Sequence, residues 1–341
     1  MNILYIGNIE NPHSGGGVVN EMHIKVLQEI SSDNLDYIEP LRNSFEGKIT
    51  FGITNIFLNQ LDQKLRNKKY DYVFVSISLL GRAVKYVKTK YPQIKIITFF
   101  HNIEHHYAKE YYKTRGVRAI PFGIFARIFE KMAVKYSDFT IVLNDRDAGL
   151  MRKIYGSSPD AVSPVCVFDR FNSGTPNTQK DIDYLFVGSA FFANIKGIQW
   201  FIDNVMPQLH GNLYIIGSGM EKVPFTNLSP RIHIYGFVKS LDEYYNRAKC
   251  VISPIFDGGG MKTKTAEALM YGKMIFGTAE AFEGYDIYGL DCIILCSDAQ
   301  DFIKSLNNYT YNEKSEQDAR SLYLSKYSYQ NKLRVFRSLI K

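Results

Sequence analysis

Residues 251–278 read VISPIFDGGGMKTKTAEALMYGKMIFGT. The apolar run at Val251-Ile252 predicts a strand ending at Pro254. Gly258-Gly259-Gly260 predicts a loop, Ala266 to Met270 a helix closed by Gly272, and MIFGT the next strand. Such a loop lets backbone N–H groups approach an anion, and the helix N-terminus adds partial positive charge. Lys262 and Lys264 add full positive charge in the first turn, where the macrodipole disfavours cations. An outside anion of the phosphate type explains that placement. The alternative is an ordinary strand-to-helix turn with solvated lysines, since the string fits neither the Walker A spacing nor G-x-G-x-x-G.

The same alternation extends in both directions. DYLFVGS (183–189), NLYIIGSG (212–219), IHIYGFV (232–238) and CVISPI (250–255) read as strands, with helices near 197–208 and 240–248. Earlier, ILYIG (3–7), DYVFVS (71–76), IKIITFF (94–100) and DFTIVLN (138–144) read as strands, with helices near 18–30, 80–90 and 121–136. Short β-branched runs alternating with helices predict parallel, doubly wound sheets. Residues 156–181, rich in Ser, Pro, Asn and Thr, predict a linker. The fold class is therefore α/β, with two Rossmann-like domains facing across a cleft and ligands beyond the carboxyl ends of the strands. Glycines gather at those ends, at 15–17, 188, 217, 219, 236 and 258–260. Leu322, Leu324, Leu333, Phe336 and Leu339 have helical spacing in the C-terminal stretch.

The bulk numbers agree with two globular domains: 341 residues, 45% hydrophobic and 22% charged. No apolar run approaches the roughly 18–20 residues that span a bilayer. The start, MNILYIGNIENP, reads as a buried first strand rather than a secretory signal, which predicts a cytoplasmic protein. Cys166, Cys250, Cys292 and Cys296 lack metal-ligand spacing and are expected as buried free thiols. The net charge of +7 is uneven, with 22 Lys and Arg against 16 Asp and Glu in residues 1–165. Nucleic-acid binding would use that basic half but leaves the glycine loops unexplained, so no nucleic-acid partner is expected.

The string ending Glu267-Ala268-Leu269-Met270-Tyr271-Gly272 resembles the donor-binding segment of GT-B fold glycosyltransferases, in the retaining, GT4-like family (glycosyl transferases group 1). The resemblance covers most of the chain and is most specific in its second half, in DYLFVGSAFFANIKGIQWFIDNVMP and RIHIYGFVKSLDEYYNRAKCVISP. It implies an acceptor-binding domain at 1–165, a nucleotide-sugar-binding domain at 166–320, and a last helix at 321–341 that crosses back to the first domain. It implies a nucleotide diphosphate sugar as donor substrate, UDP ahead of GDP, with no cofactor and no metal.

The same resemblance assigns roles residue by residue. Gly188 and Ser189 would line the donor site, the Phe237-Val238 backbone would face the base, and Glu267 would accept from the ribose hydroxyls, a carboxylate offering acceptors only. Gly259, Gly260 and Thr263 would meet the diphosphate through backbone N–H groups. Lys196 or Lys262 would balance the charge on the leaving phosphate. Each lysine also reads as a solvated residue at a helix start. Many relatives carry a glutamate eight positions before Glu267, where this chain has Gly259, and Asp257 stands as a substitute acid. In the first half, SGGG (14–17), with Gly16 and Gly17, resembles the family's N-terminal glycine loop. HNIEHHY (101–107) resembles its H-N-x-E segment, which makes His101 the cleft histidine. His105 and His106 raise a zinc site as an alternative to polar surface or acceptor contact.

Residues 111–132 interleave bases with aromatics. Phe122, Phe125, Ile128 and Phe129 would share a helix face flanked by Arg127, Lys131 and Lys135, which turns to the core or else lies on an anionic membrane surface; Tyr111, Tyr112, Lys113 and Arg115 are the better membrane candidates. The function these features imply is retaining transfer of a sugar to a hydroxyl of a glycan or lipid-linked acceptor, in bacterial surface polysaccharide synthesis. A non-catalytic GT-B-like binding subunit and a sugar-nucleotide epimerase are the alternatives.

Overall fold

The computed structural model describes residues 1–9, 15–171, 179–287 and 290–341, without the side chains at 15, 110 and 113–115. Ser14 of the glycine loop, the Lys113 and Arg115 side chains, and 172–178 of the expected linker lie outside the described residues.

The chain forms two compact units. The first comprises Met1–Pro164 with Lys332–Lys341. Its elements run β1 (Ile3–Ile6), α1 (Gly15–Ser31), β2 (Leu35–Ile38), α2 (Phe45–Ile49), α3 (Asn55–Asn67), β3 (Tyr72–Val75), α4 (Gly81–Lys90), β4 (Lys95–Phe100), α5 (Glu104–Arg115), α6 (Ile120–Tyr136), β5 (Phe139–Val142), α7 (Asp145–Tyr155) and β6 (Ala161–Val162). The strands pair in parallel in the order β2-β1-β3-β4-β5-β6. Parallel strands covered on both faces must be apolar throughout, and β1, β3 and most of β4 are buried at every position.

The second unit comprises Val165–Asn331. It runs β7 (Ile182–Val187), α8 (Phe192–Asn204), β8 (Leu213–Ile216), β9 (Ile232–Tyr235), α9 (Asp242–Arg247), β10 (Ala248–Ser253), α10 (Thr263–Met270), β11 (Met274–Gly277), β12 (Ile293–Leu295), α11 (Ala299–Asn308) and α12 (Glu313–Leu322). The order β12-β11-β10-β7-β8-β9, again parallel, reverses between β7 and β10. In the doubly wound class that reversal opens a crevice beyond the carboxyl ends of the two strands. Here those ends carry Gly188 on one side and the 254–260 loop on the other.

Several local expectations change. β2, α2, α3, α5 and α7 are additional to the elements read from sequence, and β6 falls within the expected linker. Residues 15–17 form the first turn of α1 rather than a loop, and a Cβ added at Gly16 would meet nothing within 4 Å, so no close backbone approach requires that glycine. On α6, Phe129 is buried and Phe122 and Phe125 half-buried, but Ile128 stands on the outer face with Ile120 and Ile124. Positions 120, 124 and 128 form their own i, i+4 ridge, about 100° around the helix from 129. The last helical stretch is interrupted by a π-helical turn at Tyr323–Tyr327 before α13 (Tyr329–Leu339). The extra residue in that turn breaks the helical register, which exposes Leu324 while Leu322, Leu333 and Phe336 stay buried. All four cysteines are buried and free.

Gly197 shows why a particular residue is needed to close the second unit. On α8 a Cβ at this position would lie 1.9 Å from the Pro254 carbonyl oxygen. Only glycine lets α8 settle against the end of β10. Gly197→Ala should therefore cost about 2 kcal/mol or more, the scale of overpacking a tight contact. On α7, Gly149 has nothing within 4 Å of its added Cβ, and Gly149→Ala should stabilise by about 0.5–1 kcal/mol. Urea unfolding of both variants checks the pair.

Candidate active site

The site in the second unit is assembled at the reversal point. The loop after β10 turns through left-handed backbone at Gly258 (φ +135°) and Gly260 (φ +67°), conformations that strain a residue bearing a Cβ. α10 follows, and its first turn is anchored from the side. Tyr285 donates its hydroxyl to the Lys262 carbonyl (2.7 Å) and accepts from the Ala266 N–H (3.1 Å). Thr265 donates its hydroxyl to the Ala281 carbonyl (3.0 Å), and its N–H meets the Lys262 carbonyl (3.1 Å). The N–H groups of Thr263 and Lys264 have no hydrogen-bond partner among the described residues. They are the open donors of this helix start.

Three lysines surround those donors, and their surroundings differ. Lys196, in the second turn of α8, pairs with Asp257 at 2.6 Å and is 66% exposed. Two candidates from the sequence thus neutralise each other, the cation for the leaving phosphate and the substitute acid. Lys262 donates to Glu280 (2.7 Å) and to the Gly260 carbonyl (2.9 Å). Lys264 donates to the neutral Asn194 side-chain oxygen (2.6 Å) and lies over the Phe186 ring, 4.5 Å from its centroid. No acidic partner of Lys264 is found among the described residues. Burial, then the charge of Lys262, pushes its ammonium down to about 7.

Asn194 in turn donates to the Ser189 carbonyl (2.8 Å). A Cβ at Gly188 would sit 2.9 Å from the Asn194 nitrogen and 3.0 Å from the Lys264 ammonium. Gly188, Ser189, Asn194 and Lys264 therefore form one tight group across the ends of β7, α8 and α10. Sequence reading gave Gly188 and Ser189 and counted Lys264 among the charges facing an anion, without a role in the reaction, but missed Asn194. The alternation Lys262-Thr263-Lys264 was the only local signal of the second cation.

One turn along α10, Glu267 accepts from the Tyr245 hydroxyl (3.3 Å). Tyr245 stacks on Tyr271 with centroids 4.3 Å apart, and Tyr271 donates to Asp242. Burial raises the Glu267 carboxyl above its ordinary value, against the pull of Arg170. A carboxylate held this way, on one long hydrogen bond, keeps capacity for a polar ligand. Phe237, 67% exposed, and Val238 follow the edge strand β9, three strand positions from β10. Gly259 lies between the two left-handed glycines.

In the first unit, His101 follows β4. Its Nε2 lies 3.1 Å from the Asn20 side-chain oxygen on α1. Burial and the charge of Lys332 push its imidazole down to about 4, although a backbone hydrogen bond at Ser76 favours the charged ring. The histidines of 101–106 diverge: the His105 ring meets the Gly123 carbonyl (2.9 Å) and His106 is exposed. Among the described residues no group of three metal-ligating side chains occurs. Buried Glu130 accepts from the N–H groups of Glu104 and His105 (both 2.9 Å), from Ser78 (3.0 Å) and from Tyr155 (2.7 Å). It caps α5 from α6 and so fixes the segment that begins with His101. Burial, then the Glu130 charge, pushes Glu104 up to about 8.

Two parallel six-stranded sheets, each with helices, and a helix start with open donors at a strand-order reversal define a doubly wound α/β architecture. The comparisons with known proteins add a match within the second unit and two neighbours in fold. Residues 181–310 match the glycosyl transferases group 1 model. The chain aligns over 99% of its length, and 99% of the partner's, with HepE of Anabaena crystallised with UDP (TM-score 0.72, 12% identity). It aligns over the full length of both chains with the lipopolysaccharide outer core galactosyltransferase WaaB (TM-score 0.66, 15% identity). An uncharacterized 44.6 kDa protein in the cps region of Klebsiella pneumoniae is 24% identical over 278 residues, 72% of this chain and 67% of that one. The chain thus has the GT-B fold, and most of its second unit matches the group 1 model.

The Lys264 environment sets a stability test. Its folded value, about 7, lies below the ordinary lysine value near 10.4. The unfolded chain therefore binds the extra proton between about pH 7 and 10.4, and stability contributed at this position rises with pH through that window. Below pH 7 the cost of the buried charge is present in full. Lys264→Met should raise the melting temperature of the ligand-free protein at pH 7, by about 1 kcal/mol or more in stability, with the difference shrinking as pH rises from about 7 to 10. Thermal unfolding across pH reads both.

Proposed function

We propose that the chain transfers a sugar from a nucleotide diphosphate sugar, a UDP-sugar ahead of a GDP-sugar, to a hydroxyl of a glycan or lipid-linked acceptor, with retention of anomeric configuration. The observation that carries this reading is the group of two open N–H donors and Lys264 at the start of α10, with Glu267 one turn away. The donors and the ammonium suit the diphosphate, and Glu267 suits a ribose diol. That HepE has been crystallised with UDP and with UDP-glucose supports the choice of donor.

In this mechanism the bond from the anomeric carbon to the diphosphate oxygen breaks as the acceptor oxygen bonds to the same carbon. The acceptor proton passes to the leaving phosphate. Lys264 and the α10 donors stabilise the negative charge that develops there. Lys196 joins them once the diphosphate competes with Asp257 for its ammonium. His101 is the histidine we assign to the donor sugar. No metal takes part, so EDTA leaves the rate unchanged.

The place of work we propose is the inner face of the cell membrane, in surface polysaccharide assembly. WaaB acts on lipopolysaccharide, and the Klebsiella relative lies in a cps region, which supports that setting. Among the described residues no helix is long and apolar enough to cross a membrane. The outer face of α6 supports surface contact instead. It presents Ile120, Ile124 and Ile128 with Arg127, Lys131 and Lys135, and its one acid, Glu130, is buried. Residues 51–136 hold sixteen Lys and Arg against five Asp and Glu. A groove of about 700 Å³ beside α6 has Arg82, Lys85 and Lys90 at its rim, and another of about 410 Å³ has Lys109 and Lys153; no acid lines either. Anionic lipid attracts such bases by about 1 kcal/mol each.

A thermal-shift screen with UDP, GDP, dTDP and their sugars tests the donor site. One nucleotide family should raise the melting temperature, since a ligand of the native state stabilises it in proportion to occupancy. Glu267→Ala and Lys264→Met should each lose at least about tenfold in affinity, one partner of a charged or buried hydrogen bond being removed. No shift from any nucleotide at millimolar concentration would move the binding-subunit reading ahead. For the membrane contact, Ile124→Asp with Ile128→Asp should abolish sedimentation with phosphatidylglycerol vesicles and leave the fold intact. Unchanged sedimentation would remove α6 from the account.

A further inference from the structure

The final helix carries a lysine into the core of the first unit. Lys332 is fully buried. Its ammonium lies 3.4 Å from His23 Nε2 and 3.3 Å from the Ser163 hydroxyl. The Phe99 and Phe336 rings lie 5.1 and 5.6 Å from it. His23, also fully buried, has its ring centroid 4.2 Å from that of Phe99 and 5.9 Å from that of His101. One ammonium and two imidazoles therefore lie close together, Lys332 and His23 fully buried and His101 half-buried.

We propose that Lys332 is a positioning residue for His101, whose charge keeps the His23–His101 pair neutral and leaves His101 a hydrogen-bonding group rather than a cation. This rests on the reading of His101 as a donor-side residue of the proposed glycosyl transfer. Enclosed like charges compete for protonation, and an amine with an ordinary value near 10.4 outcompetes imidazoles near 6.5. The two aromatic faces favour the ammonium further.

The groups facing His101 come from several elements. α1 supplies Asn20 and His23, the end of β3 supplies the backbone at Ser76, and α13 supplies Lys332. The Ser76 hydrogen bond favours the charged ring; burial and Lys332 oppose it and prevail. His23 is likewise held well below the ordinary imidazole value, by burial first and then by Lys332. Neutrality suits the chemistry. A sugar losing its diphosphate gains positive charge near the anomeric carbon, and an imidazolium beside it would raise the barrier. A neutral ring still donates from one nitrogen and accepts at the other.

The test is a ¹⁵N NMR titration of the histidines alongside the pH dependence of donor turnover. In the native protein His101 should stay neutral from pH 5.5 to 8. In Lys332→Met its titration should climb toward 6.5, and the acid limb of kcat/KM should move up with it by about one to two pH units. Lys332→Arg should keep the native profile. A native His101 titrating near 6.5 would overturn the proposal, as would an unmoved His101 in folded Lys332→Met. The native titration decides even where Lys332→Met does not fold. His101→Ala with unchanged turnover would sink the donor-side reading of His101 and leave the titration result standing.

Discussion

An ammonium held without an acid at a helix start is the constraint on which the second unit's site depends. Lys264 lies against Asn194 and the Phe186 face, with a second lysine close by. Each of these features costs stability in the empty protein: burial of a charge, like-charge repulsion, and a cation at the positive end of a helix. Two backbone donors open at the same place. An arriving diphosphate adds an attraction that offsets these terms. The geometry suits an anion, and the glycines are its supports. Gly197 brings α8 onto β10, Gly188 leaves room for the Lys264 end, and the left-handed turns at Gly258 and Gly260 deliver the chain to α10.

The first unit applies the same physics with a different outcome. There Lys332 enters a space beside two imidazoles. At the start of α5 a buried carboxylate, Glu130, takes the place that a ligand anion takes at α10, and satisfies the helix donors from within the protein. One helix start is closed by its own acid and the other is left open. That contrast separates a structural cap from a binding site more clearly than any glycine count.

Much of this was legible in the sequence because it is local. The β10–loop–α10–β11 succession follows from an apolar run, three glycines and a helical stretch within 28 residues. Glu267 could be named from its place in that string. What could not be read was which charge balances which. Lys262 meets Glu280 18 residues away, Lys196 meets Asp257 61 away, and Lys264 meets Asn194 70 away. These pairings exist only once parallel strands are stacked, and they moved the open charge from Lys196 and Lys262 to Lys264. The short elements β2, α2 and β6 also escaped, with four, five and two residues to show a period. Ile128 was assigned to the core because three aromatics beside it are apolar, and only the helix rotation separates the two ridges of α6.

The central claim is that the donor diphosphate stabilises the charged form of Lys264 and so draws protons onto it when it binds. Isothermal titration of a UDP-sugar at pH 7.5, in buffers of different ionisation enthalpy, measures the protons that accompany binding. The diphosphate diester does not titrate near neutrality, so uptake reports on the protein. The account predicts uptake of a substantial fraction of one proton per donor, falling to zero at pH 5.5 and absent from any residual binding by Lys264→Met. Tight binding with no proton uptake at pH 7.5, or the same uptake without Lys264, would contradict it.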